Sequence, residues 1–216
     1  MSLVRVLLAT RNASKLVELR RLVASTGLQV IGLDEVAPFP QTPETAATFE
    51  ANALAKARDA AAATGLAAVA DDSGLEVDAL NGMPGVLSAR WAGRHGDDAA
   101  NLRLVLAQLA DVPDGRRGAA FVCAAALVVP PVAGTAETVA AETAAEEAVV
   151  RGQWRGTMSR TPRGGNGFGY DPIFVPDGGQ RTSAELDPAQ KDSVSHRGQA
   201  LRALLPVLDR LLARQR

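Results

Sequence analysis

The sequence predicts an α/β fold. Short apolar runs at 4–9, 28–33, 67–70 and 119–129 read as strands, 149–158 as a returning partner strand, and segments with helical spacing of apolar residues lie between and after them. The apolar fraction of 47% leans on alanine while aromatics reach only 4%, which favours helix-rich packing of small side chains. At 216 residues the chain can bury its own core, as one domain or as one domain with two lobes. No internal repeat and no clean linker are visible.

Composition removes several function classes. A net charge of −1 gives no field that would gather nucleic acid. The single cysteine, Cys123, rules out an internal disulfide and fits a reducing cytosol; inside the apolar run 119–129 it reads as an inert buried thiol. Two histidines and one cysteine do not make a structural zinc site. The N-terminal apolar run at 6–9 ends before Arg11 and Lys15, too short for a signal peptide or membrane span. The expectation is a cytoplasmic protein with neither nucleic acid nor membrane as partner.

The strand at 4–9 leads into the polar turn Thr10, Arg11, Asn12, Ala13, Ser14, Lys15, then an amphipathic helix bearing Leu16, Leu19, Leu22 and Val23. Amides at that helix start, with Lys15, suit an anion such as phosphate, although the glycines of a P-loop are missing. A plainly capped helix start is the competing reading. A second strand at 28–33 and a loop at 38–43 precede an alanine-rich helix over 45–63, which Gly65 ends. Glu44, Thr48, Asn52 and Lys56 recur every four residues and share one face of it, opposite Phe49 and Leu54. Such a stripe is ordinarily the solvated side. Its place just before an aspartate pair makes it a candidate cleft face.

The organising stretch is 70–93. Residues 67–70 are expected to deliver Asp71 and Asp72 to a sheet edge, with an abrupt turn at Ser73 and Gly74. Paired acids so placed hold a hard cation or activate water; the alternative is a solvated acidic turn. The next loop is shaped by Asn81, Gly82, Pro84 and Gly85 and carries a lone Arg90. Asp97 and Asp98 cap a helix to about Leu109, and 119–129 is a strong strand ended by Pro130 and Pro131. Alanine, threonine and glutamate without aromatics mark 133–147 as an exposed hairpin tip or insertion. The chain returns as a strand at 149–158, with Trp154 inward.

Chemistry concentrates again at 163–172, where four glycines surround Phe168 and Tyr170. Backbone can there approach a ligand beside an aromatic face, which suits a planar base stacking for roughly 1–3 kcal/mol. A glycine-rich surface loop is the plain alternative. A short strand at 173–175 follows, and Pro188 starts a short helix. Ser195 reads as the N-cap of the final helix, so His196 and Arg197 sit in its first turn. Cations there oppose the helix dipole, a local inconsistency that points to function. Leu201, Leu204, Leu205, Leu208 and Leu212 make the rest of that helix core or a dimer face.

Six pieces in this order carry a resemblance. They are Thr10-x-Asn12-x-x-Lys15, Phe49-Glu50-x-Asn52-Ala53-x-x-Lys56, Ala70-Asp71-Asp72-Ser73-Gly74-Leu75 and Pro84-Gly85-x-x-Ser88-Ala89-Arg90. Gly167-Phe168-Gly169-Tyr170-Asp171-Pro172 and Ser195-His196-Arg197-Gly198 complete the set. Over 4–205 the chain resembles the inosine/xanthosine triphosphate pyrophosphatases, which clear non-standard purine nucleotides. The resemblance implies an elongated α/β fold with a long mixed sheet flanked by helices, two lobes with a nucleotide cleft between them, and a homodimer. It implies one pyrophosphatase domain over 1–216 that hydrolyses the α–β phosphate bond of ITP, dITP or XTP with Mg²⁺. By position Asp72 matches the base that activates water, and Glu44, Asp71 and Asp72 match the metal site. Thr10, Arg11, Asn12, Ala13, Ser14, Lys15, Lys56 and Ser73 match phosphate contacts. Phe168, Gly169, Tyr170, Asp171, Lys191, His196 and Arg197 match base and sugar contacts. Arg11 departs from the small residue the family often has there, and 133–147 matches no family role. A Maf-like pyrophosphatase of other specificity and a non-catalytic nucleotide-binding regulator are the competing classes; the regulator would need no Asp72 poised near water.

Overall fold

Strands β1 (Val4–Leu8), β2 (Leu28–Ile31), β3 (Ala67–Val77), β4 (Gly118–Val129), β5 (Glu146–Met158) and β6 (Phe174–Pro176) form one mixed sheet. Their order is β2-β1-β3-β4-β5-β6. Four helices bounded among the described residues are α1 (Phe49–Thr64), α2 (Asp98–Gln108), α3 (Pro188–Val194) and α4 (His196–Ala213), and Leu16, Val17 and Arg20 are also helical. This computed structural model describes residues 4–10, 16–17, 20, 28–131 and 145–213. The turn residues Arg11, Asn12, Ala13, Ser14 and Lys15, the helix positions Leu19, Leu22 and Val23, and 133–144 of the expected insertion lie outside the described residues. Among those described, no helix is long and apolar enough to cross a membrane.

β1 runs parallel to β2 and to β3, with Val6 level with Val30 on one side and Ala67 on the other. Strands buried on both faces read as continuous apolar runs, which is why β1 and the start of β3 stand out in the sequence. β5 and β6 pair antiparallel, Gly156 opposite Pro176. The described chain divides into two compact units: Met1–Asp72, Ala124–Arg151 and Ala200–Arg216 form one, Ser73–Cys123 and Gly152–Gln199 the other.

The first unit is built on small side chains. α1 starts where Thr48 Oγ1 accepts from the Ala51 amide at 3.1 Å and ends at Gly65, whose φ of 67° only glycine adopts without strain. The helix thus begins after the expected position 45, and Glu44 precedes it. Phe49, Ala53, Ala57, Ala60 and Ala61 are buried, and so is Asn52. Residues three apart are neighbours on a helix, so Asn52 belongs to the same buried face as Phe49, not the opposite one. Glu146 and Glu147 are already strand, so the insertion expected over 133–147 stops short of them; Glu147 holds Arg58 of α1 through two bonds of 2.7 Å.

The second unit buries Leu75, Val77, Leu102, Val105, Leu109, Phe121, Trp154, Ile173 and Phe174 in one cluster. Rings do much of the filling: Phe174 meets Phe121 at 4.6 Å and Trp154 at 5.4 Å between centroids. Gly156 permits this, because a Cβ there would lie 2.3 Å from the Val175 carbonyl oxygen and 2.7 Å from the Phe174 ring. Buried Arg117 clamps the same unit, donating to the carbonyls of Leu109 (2.6 Å), Met158 (2.8 Å) and Ser159 (3.0 Å). Cys123 is buried, as expected.

One expectation is overturned at the centre. The strand does not stop at Ala70; β3 continues through Asp71, Asp72, Ser73 and Gly74 to Val77, and it lies inside the sheet rather than at its edge. No turn forms at Gly74. Adjacent charges are almost never tolerated in an interior strand, so the pair reads as a terminus from sequence. Specific partners make them tolerable here.

Candidate active site

β3 carries Asp71 and Asp72 on opposite faces, as consecutive strand residues must. Both are buried, at 4% and 8% exposure. Asn52 Nδ2 donates to Asp72 Oδ2 at 2.9 Å. One turn further along α1, Lys56 Nζ lies 3.9 Å from Asp72 Oδ1 and donates to Glu44 Oε1 at 2.6 Å. Thr10 follows the end of β1, and continuing the register that pairs Leu8 with Val69 sets it level with Asp71. Carboxyl ends of parallel strands are where open α/β sheets bind ligands.

The electrostatics follow from this arrangement. Burial pushes the Asp72 carboxyl above its ordinary value; the Lys56 charge and the Asn52 bond pull it back, while Glu44 and Asp71 push it up again. The cluster holds two carboxylates around one ammonium, so a positive charge is already favoured between Glu44 and Asp72. Their hard oxygens fit a small divalent cation such as Mg²⁺, which typically takes one or two carboxylates and completes its shell with water and phosphate oxygens. Among the described residues, no three Asp, Glu, His or Cys side chains form a ready-made metal cage. The donor set therefore fits a cation shared with a phosphorylated ligand.

The second unit holds a hollow of about 110 Å³ whose lining includes Ser73, Phe121, Phe168, Lys191, His196 and Arg197. Phe168 is 49% exposed, with Lys191 Nζ 5.5 Å and Arg197 Cζ 5.7 Å from its ring centre. The His196 ring stacks on Phe121 at 5.0 Å and 13°. Arg197 Nη2 donates to Ser73 Oγ at 3.3 Å. Ser195 caps α4 as expected, its Oγ accepting from the Gly198 amide at 3.1 Å. That cap fixes the first helical turn and with it His196 and Arg197.

The glycine-rich loop is organised by Asp171. Its buried carboxylate accepts from Lys191 Nζ at 2.5 Å, from the Phe168 amide at 2.8 Å and from Ser183 Oγ. Gly167 has φ 78°, and a Cβ there would come within 2.0 Å of Asp171 Oδ2, so only glycine lets the loop close on the carboxylate. The Gly169 amide donates to Asp98 Oδ2 at 2.9 Å. Tyr170 is buried and donates to the Ser88 carbonyl at 2.8 Å; burial raises its phenol pKa, so it stays a neutral donor. An aromatic face flanked by cations and fixed donors suits a planar base bearing carbonyl oxygens.

The structure thus brings together Glu44, Lys56 and Asp72 with Asp71 beside them in the strand. Separately it gathers Ser73, Phe168, Gly169, Tyr170, Asp171, Lys191, His196 and Arg197 around the hollow. Tyr170 is buried with its hydroxyl on the Ser88 carbonyl, and Asp171 is committed to Lys191. Sequence reasoning noticed Asn52 but did not assign it to the site. It missed Ser88, whose Oγ accepts from the Leu75 amide at 2.9 Å and donates to the Gly85 carbonyl at 2.6 Å, although the segment containing it was singled out. It also missed Asp98, which reads as a helix cap, and Phe121, which is indistinguishable from core in an apolar strand.

In an α/β protein, carboxylates and a lysine beside parallel strand ends in one unit suit a phosphorylated ligand, and an aromatic hollow ringed by cations in the other suits a planar base. The chain belongs to the Ham1 family, whose model matches residues 6–207. It is 64% identical over 217 residues to a dITP/XTP pyrophosphatase of Nocardia farcinica, covering 99% of both chains. The crystal structure of a nucleoside-triphosphatase, dITP/XTP pyrophosphatase, from Mycobacterium abscessus matches with TM-score 0.74 at 60% identity, over 94% of this chain and 99% of that one. A HAM1 protein from Coxiella burnetii matches with TM-score 0.82 at 44% identity, over 96% and 99%.

Proposed function

We infer that this chain hydrolyses non-standard purine nucleoside triphosphates (ITP, dITP and XTP) to the nucleoside monophosphate and pyrophosphate. The observation that carries this is the Asp72 environment: a buried carboxylate held by Asn52, with Lys56 and Glu44 beside it. The names of the relatives supply the substrate class. Phe168 stacks the base, while Lys191 and Arg197 donate to the six-keto oxygen. Lys56, Ser73 and the turn from Thr10 through Arg11, Asn12, Ala13 and Ser14 to Lys15 hold phosphate oxygens. Asp72 takes the proton of the attacking water. Mg²⁺, held by Glu44 and Asp72 with its remaining positions filled by water and phosphate oxygens, would neutralise phosphate charge so that water can approach, while Asp71 points to the other face of β3. The 1–216 chain acts as one pyrophosphatase domain in the cytoplasmic nucleotide pool. Homodimerisation, which the resemblance implies, is tested by sedimentation.

A non-catalytic regulator has no use for a carboxylate held in this way. The deciding assay measures pyrophosphate release from ITP, dITP, XTP, GTP and ATP, with and without Mg²⁺. Strong preference for the first three, lost on chelation, is expected. Equal kcat/KM for ITP and ATP overturns the reading.

A further inference from the structure

We propose that Asn52 is the positioning residue for the water-activating carboxylate: its amide holds Asp72 Oδ2, so that Asp72 Oδ1 receives the proton. This rests on the pyrophosphatase reading above.

Asn52 lies in the first turn of α1 with only 2% of its surface exposed. Its Oδ1 accepts from the Ala46 amide at 3.0 Å and its Nδ2 donates to Asp72 Oδ2 at 2.9 Å. The two bonds fix each other. Flipping the amide would set donor against donor at Ala46 and acceptor against acceptor at Asp72. Water has little access to replace either bond, so the orientation is built into the fold.

Ala46 lies two residues after Glu44, and Glu44 holds Lys56 at 2.6 Å. The amide therefore braces three parts of the cluster at once: the segment carrying Glu44, the helix carrying Lys56 and the strand carrying Asp72. Lys56 sits on the Oδ1 side of the carboxylate, at 3.9 Å. In the reaction, water loses its proton to Asp72 Oδ1 as its oxygen bonds to phosphorus. The bridging bond between the α-phosphorus and its oxygen to the β-phosphate breaks, and its electron pair leaves with pyrophosphate. A carboxylate free to rotate would present that oxygen only part of the time, and small misplacements of a catalytic group cost large rate factors.

The competing explanation is structural: Asn52 would merely satisfy the Ala46 amide at the helix start. Asn52→Asp separates the two, since it keeps an acceptor for Ala46 but replaces the donor to Asp72 with a repelling oxygen. Asn52→Ala removes both bonds. Steady-state kinetics with ITP and Mg²⁺ should show kcat falling ~10–100-fold in both variants, the scale of losing a hydrogen bond to a charged group, with KM little changed. Combined with Asp72→Asn, Asn52→Ala should produce no further loss, because a residue that acts only through Asp72 has nothing left to position.

Losses that multiply in the double variant, or an Asn52→Asp enzyme with parental kcat, overturn the proposal. A rise in KM alone does so too. Thermal melting accompanies each variant, and if Asn52→Ala does not fold, Asn52→Asp and its combination with Asp72→Asn carry the same test. Parent activity on ITP, measured in the same plates, separates the two levels of inference. An inactive parent sinks the pyrophosphatase reading and this proposal with it, whereas an active parent with multiplying losses sinks the Asn52 role alone.

Discussion

Asp72→Asn is expected to damage catalysis while strengthening the fold. The substitution keeps the shape and leaves an oxygen for Asn52 Nδ2, now 2.9 Å from the carboxylate. It removes the Lys56 attraction across 3.9 Å, about 4 kcal/mol at an effective dielectric of about 20. Against that stands the relief of an 8%-exposed carboxylate, since burying an ion costs several kcal/mol. Repulsion from Glu44 and Asp71 is relieved as well. Burial is the largest influence on this carboxyl, and the balance raises its pKa, so removing the charge should stabilise. The sign in pH follows. With the folded-state pKa above the unfolded one, the contribution of Asp72 to stability is fully present below the unfolded pKa and lost as pH rises through the folded value. The ligand-free variant should therefore melt above the parent at pH 7, and the gap should close as pH falls through that range. Each kcal/mol corresponds to about 2–4 °C for a chain of this size. Pyrophosphate release should drop by about 10²–10⁴-fold, as for loss of a general base. A variant that melts below the parent at pH 7 refutes the electrostatic reasoning, and near-parental turnover removes Asp72 as the base.

Lys56→Ala leaves Glu44 and Asp72 without the ammonium beside them; kcat/KM should fall by ~10²-fold, and the acid limb of its pH profile should move upward as Asp72 loses its attractive charge. Unchanged kcat/KM at low ITP would withdraw Lys56 from the site. Asp171→Asn loosens the hold on Lys191 and should raise KM for ITP by ~10-fold with a smaller change in kcat, read from saturation curves; a pure kcat effect would contradict its role in the loop. Arg197→Ala should shrink the ITP-over-ATP ratio of kcat/KM, chiefly by slowing ITP, and a ratio that stays at the parental value would move recognition of the six-keto oxygen to other donors.

Much of this was legible because its causes are local. The apolar runs of β1 and β4, the Gly65 stop of α1 and the Ser195 cap of α4 depend on residues close in sequence. What escaped depends on partners far along the chain. β3 continues past Ala70 because Asp72 meets Asn52, a partner 20 residues away that no strand pattern can announce. Asn52 lies on a stripe that reads equally as a solvated side or a cleft face, since an amide among alanines has the same periodicity whether it faces water or a carboxylate. The anchoring of Tyr170 depends likewise on a distant partner, the Ser88 carbonyl 82 residues earlier, which the glycine-rich loop's own sequence does not announce.

On the proposed function, such distant pairings would also produce selectivity in the hollow. Lys191 is held by Asp171, Arg197 contacts Ser73, and the loop amide of Phe168 is fixed by that same Asp171. Each cationic side chain thus arrives with its direction set before any base enters. A six-keto oxygen completes this set of donors at little ordering cost. An adenine amino group at the same place brings another donor, and each buried donor left unmatched costs about 1–3 kcal/mol. Rigidity matters as much as charge here, because a mobile lysine or arginine could swing aside and tolerate the amine. Gly167 ties that rigidity to the backbone: a side chain there would collide with Asp171 and slacken its hold on Lys191. On the proposed function, discrimination between keto and amino purines would therefore rest on the loop's closure around one buried carboxylate as much as on the cations that line the hollow.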